Sequence, residues 1–112
     1  MGTTMGLGFE GKPWRGNTSG ERLLGLEIVL LQSSYVLAWS QFLYAEGTSE
    51  EVRAVFTTHD IWVKGSGLAS LLSDFAAQQI SVLQEPTRTD KFSAAPGPRI
   101  LELTVQVAVD RA

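Results

Sequence analysis

His59 is the only histidine of this 112-residue chain, and with Asp60 after it and Thr57 and Thr58 before it the group has the residue types of a general base or a hydrolytic triad. In a strand, neighbouring side chains point to opposite faces, so Asp60 can orient His59 only if the chain turns there. If residues 58–60 form a hairpin tip, His59 is a solvated loop residue, the reading one unaccompanied histidine favours. A metal would need further ligands from Glu46, Glu50 or Glu51, whose spacing follows no ligand pattern. No metal and no cofactor is therefore expected.

Lys64-Gly65-Ser66-Gly67 is better placed, because it joins a predicted strand to a predicted helix. Free amides, a hydroxyl and an ammonium there could face a phosphate or a carboxylate. Any strand-to-helix turn uses glycine and a capping serine for geometry alone, and the GxxxxGK[ST] pattern of a nucleotide loop is absent. The run Gly6-Leu7-Gly8-Phe9-Glu10-Gly11 matches GxGxxG in letters only. No strand precedes it, and Pro13 and Gly16 break any helix after it. Asn17-Thr18-Ser19 matches a glycosylation acceptor, which needs a secretory route to mean anything. Glu50 with Glu51, and Arg88 with Lys91, read as solvated charge pairs. The aromatics Tyr35, Trp39, Phe42, Tyr44, Phe56 and Trp62 read first as core and second as the lining of an apolar pocket or interface.

Composition removes whole chemistries. Without cysteine there is no disulfide framework, thiolate zinc site, thiolate-held iron–sulfur cluster or cysteine nucleophile. A net charge of -3 speaks against nucleic acid, whose binding normally shows as a basic excess. With 44% hydrophobic and 19% charged residues the chain should fold, and is expected to hide apolar surface in an oligomer. The first twenty residues lack the apolar run of a secretory signal, and no segment approaches about 20 uninterrupted apolar residues. A cytoplasmic protein without membrane spans is the expectation.

Residues 1–20 hold six glycines and turn chemistry, and read as a flexible arm before one domain over 21–112. Trp14 and Phe9 are its exceptions, expected to dock on the body or on a neighbouring subunit. Residues 22–32 predict a strand with Leu24, Leu26, Ile28 and Leu30 on one face and a mostly apolar opposite face. Residues 35–45 predict a further strand, although Tyr35, Trp39, Phe42 and Leu43 also fit helical spacing. Residues 51–64 predict two short strands or one bent one.

The firmest element is a helix over Gly67 to Gln79, where Leu68, Leu71, Leu72, Phe75, Ala76 and Gln79 share a face. A short strand follows at 80–84 and ends before Pro86, then a loop over 87–99. The last strand, 100–109, puts Leu101, Leu103, Val105, Val107 and Val109 on one face. The order β-β-β-(β)-α-β-β predicts an α+β fold: a mainly antiparallel curved sheet or partly open barrel of five to six strands under one helix. Two apolar faces on residues 22–32 exceed what one helix covers, so a homodimer or higher oligomer is expected. The function expected first is a non-catalytic interaction or assembly module that self-associates. After it come a domain for a small anionic or apolar ligand at Lys64 to Gly67, and a small enzyme using His59.

Overall fold

The computed structural model describes residues 13–16, 23–88 and 97–108. In order they form β1 (Arg15–Gly16), β2 (Gly25–Val29), β3 (Ser34–Ala38), a 3-10 turn (Trp39–Gln41), β4 (Phe42–Gly47), β5 (Glu51–Phe56), β6 (His59–Ser66), α1 (Ala69–Ala76), β7 (Ile80–Gln84) and β8 (Arg99–Val107). The chain adopts the expected α+β class, but its strands divide between two open four-stranded sheets. The first has the order β1-β7-β2-β3, antiparallel except for the β2–β7 pair. The second, β4-β5-β6-β8, is antiparallel throughout. Among the described residues no helix is long and apolar enough to cross a membrane.

Alternation builds the second sheet. Val52, Ala54 and Phe56 of β5 and Ile61 and Val63 of β6 are fully buried on one face, while Glu51, Arg53, Trp62 and Lys64 take the other. The residues 51–64 thus form two strands, turning at Thr57 and Thr58. In β8 the register shifts opposite Lys64 and Gly65, so that Lys64 pairs with Glu102 and Gly65 with Ile100. Leu101 is the extra residue, and it is Ile100, with Leu103, that is buried. The single uninterrupted face predicted for residues 101–109 therefore holds only beyond the shift, Val107 is largely exposed, and Val109 lies outside the described residues. Gly65 permits the shift: a Cβ there would stand 1.9 Å from the Arg99 carbonyl oxygen.

Two predicted strands come out differently. In β2 only Leu26 and Ile28 are buried, and the opposite face is Gly25, Glu27 and Val29. The surplus leucines sit beyond the strand ends, where Leu24 and Leu31 are exposed. Residues 35–45 are not one strand but two, joined by the 3-10 turn that carries the chain from the first sheet to the second. The cause is Trp39, whose amide donates to the Leu24 carbonyl and whose buried ring meets those of Phe42, Phe56 and Phe75. The helical spacing of Tyr35, Trp39 and Phe42 records that crossing.

The predicted helix is present but shorter. Leu68, Leu71 and Phe75 are fully buried against β4 and β5, each contributing roughly 1.5–3 kcal/mol, while Ala76 is exposed. Gly67, at φ 66°, precedes the helix, and Gln78, at φ 55°, ends it. The Gln78 amide donates to Phe75 and that of Gln79 to Asp74, the bond pattern of a left-handed helix stop. From the amino-terminal stretch, Trp14 docks as expected: it is 2% exposed and its Nε1 donates to Asp74 Oδ2 at 2.8 Å. Residues 15 and 16 pair with β7. Phe9, the remainder of the 1–20 arm, the GxGxxG letters, residues 17–19 and Lys91 lie outside the described residues.

Candidate functional site

The structure does not bring His59 and Asp60 together. They open β6 and point to opposite faces, the alternation that a strand imposes. His59 is half-buried, with Nδ1 2.8 Å from Thr58 Oγ1 and its ring edge-on to Tyr35 at 5.5 Å. Thr57 Oγ1 donates to Gln41 Oε1 at 2.6 Å. Asp60, on the other face, accepts from Arg53 Nη2 at 2.9 Å. Among the described residues no three histidine, aspartate or glutamate side chains converge as metal ligands.

Two amides at the Lys64 to Gly67 turn and the residue after it are used internally. Gly65 N–H donates to the Glu50 carbonyl at 2.9 Å and Leu68 N–H to that of Ser49 at 2.7 Å. No side chain caps α1, so Ser66 does not play the capping part expected of it. Lys64 lies in register between Glu51 and Glu102, which sets two carboxylates beside the one cation offered to an anion.

A different surface gathers more chemistry than either candidate. The outer face of the second sheet carries three cross-strand rows: Glu51, Lys64 and Glu102; Arg53, Trp62 and Thr104; Val55, Asp60 and Gln106. On β4, Glu46 stands opposite Arg53 and Tyr44 opposite Val55. Arg53 organises the centre, bonding Asp60 with one Nη and reaching Glu46 Oε2 at 3.4 Å with the other. Its guanidinium lies 5.3 Å from the centre of the Trp62 ring, within cation–π range. Its Nε is buried without a hydrogen-bond partner. The bond to Asp60 raises the Arg53 pKa above its already high ordinary value, against the opposing effect of desolvation.

Trp62 forms the wall between two shallow depressions. One, of about 320 Å³, is lined by Glu51, Trp62, Lys64, Glu102, Thr104 and Gln106. The other, of about 270 Å³, lies toward β4 and includes Glu46 and Arg53. Trp39 and Phe56 are the core aromatics the sequence suggested, but Trp62 and Tyr44 belong to this outer face. The alternation of Arg53, Val55, Asp60, Trp62 and Lys64 in the sequence was the available signal.

The first sheet offers a second surface. Its edge strand, β3, pairs with β2 on one side, and no strand of the described residues pairs with the other. Ser34, Tyr35, Val36, Leu37 and Ala38 include no charge and no proline, and the register with β2 runs unbroken. Val36 is 74% exposed, and Leu24 beside the strand's far end is 83% exposed. Compared with family models, curated proteins and solved structures, the chain matches none of them.

Proposed function

We propose that this chain is a non-catalytic assembly module that joins copies of itself through β3. The observation that supports the reading is the outer edge of β3, which no strand of the described residues pairs with. Proteins usually blunt an edge strand with lysine, proline or a bulge, and β3 has none of the three. Two copies related by a two-fold axis at Val36 would pair β3 antiparallel with its equivalent and extend the first sheet across both. Each backbone bond formed there is worth about 0.5–1.5 kcal/mol, and exposed Val36 adds apolar area at the junction. The separation of His59 from Asp60 favours the non-catalytic half of the reading. A cytoplasmic setting goes with it, because a chain without cysteine needs no oxidising compartment to fold.

Light scattering across micromolar concentrations tests it. The wild-type chain should show a dimer or larger mass that falls on dilution, and Val36→Lys should shift the population to monomer without loss of folded structure. A wild-type chain that is monomeric throughout would overturn the proposal.

A further inference from the structure

We propose that the outer face of the second sheet binds a neutral saccharide against Trp62. Trp62 differs from the other two tryptophans of the chain. Trp14 and Trp39 are 2% and 3% exposed, one bonded to Asp74 and the other packed among phenylalanines, whereas Trp62 is partly exposed on a solvated sheet face. The ring is also fixed. Arg53 lies against it while Asp60 and Glu46 hold the guanidinium, so the indole is ordered before any ligand arrives.

Charge then selects the ligand. The face sets Glu46, Glu51, Asp60 and Glu102 against Arg53 and Lys64, an excess of carboxylates that repels anions. An organic cation on the ring would meet Arg53 already beside it and Lys64 on the next row. A neutral ligand meets neither obstacle. The depression on the β8 side interleaves acceptors at Glu51 and Glu102, a donor at Lys64, and groups that do both at Thr104 and Gln106. Hydroxyls, each a donor and an acceptor, fit such a lining, and the C–H face of a sugar ring fits the indole. A volume of about 320 Å³ is at the small end for ligand sites and suits one or two sugar rings. Because the depression is open, affinity should be weak, with dissociation constants on the order of millimolar.

The indole N–H signals in a proton–nitrogen NMR spectrum of the full chain give the test. Cellobiose, maltose, xylobiose and N,N′-diacetylchitobiose, titrated separately to tens of millimolar, should include at least one that moves the Trp62 signal saturably. The Trp14 and Trp39 signals should stay in place. Thr104→Ala and Gln106→Ala, both at exposed positions, should weaken that binding roughly fivefold each, with unmoved Trp14 and Trp39 signals certifying the fold. Val36→Lys should leave the binding unchanged. The proposal is overturned if all four sugars leave Trp62 unmoved, if inorganic phosphate or choline moves it in their place, or if Thr104→Ala and Gln106→Ala both bind as tightly as wild type.

Discussion

Trp14 joins three distant pieces of chain through one side chain: it adjoins β1, which pairs with β7, and its indole bonds Asp74 on α1. Trp14→Ala should therefore cost about 3–5 kcal/mol, read as a lower midpoint in urea unfolding; a change below about 1 kcal/mol would show that the ring contributes little to the core. Arg53 has a different kind of consequence. A cation whose pKa is raised on folding contributes stability at every pH below its unfolded value and loses it only as pH rises through the folded one. For arginine that window lies far above neutrality, so the contribution of Arg53 should stay constant in ordinary buffers. The alternation that parts His59 from Asp60 could be anticipated from adjacency alone. That Arg53 would meet Trp62 could not, because it depends on the register between β5 and β6.

Among the elements, α1 was the most legible, since Leu68, Leu71 and Phe75 repeat at helical spacing and all three are buried. Its ends were less so. No glycine marks the stop, and Gln78 adopts φ 55° because the bonds from Gln78 and Gln79 to Phe75 and Asp74 close the helix there. Gln78→Gly should relieve that strain and stabilise the fold by about 1 kcal/mol, measurable as a raised melting temperature; a lowered one would count against it. The break between β3 and β4 was hidden by continuous aromatic content, and only the burial of Trp39 between the sheets explains it. The β8 shift was hidden too: Ile100 and Leu101 are both apolar, so sequence alternation offers no reason to prefer one. Which strand ends a sheet is a property of pairing, so the exposure of the β3 edge that underlies the Val36→Lys prediction has no signature in the residues themselves.

At the scale of the whole molecule, the α+β class and the helix α1 followed from periodicity, while the division into two sheets did not. The leucine-rich stretch at residues 22–32 suggested a strand buried on both faces. In the structure its apolar excess is split among Leu26 and Ile28 in the core, partly buried Leu23 and Leu30, and exposed Leu24 and Leu31. The proposed self-association through the β3 edge would take the place of the face-to-face burial that the composition implied. The two proposed surfaces lie on different sheets, which lets an assembly carry one ligand face per copy.

The parallel partnership of β2 with β7 also dictates an order of events in time. The β4-β5-β6 meander closes through short turns, whereas setting Glu27 beside Val82 must wait until the intervening chain has been gathered in. The transition state for folding should therefore contain the meander and lack the β2–β7 pair. In kinetic terms, Ile61→Val should mainly slow folding, with a φ-value near 1, and Leu83→Ala should mainly speed unfolding, with a φ-value near 0. The reverse ranking would mean that the first sheet, despite its scattered strands, nucleates the molecule.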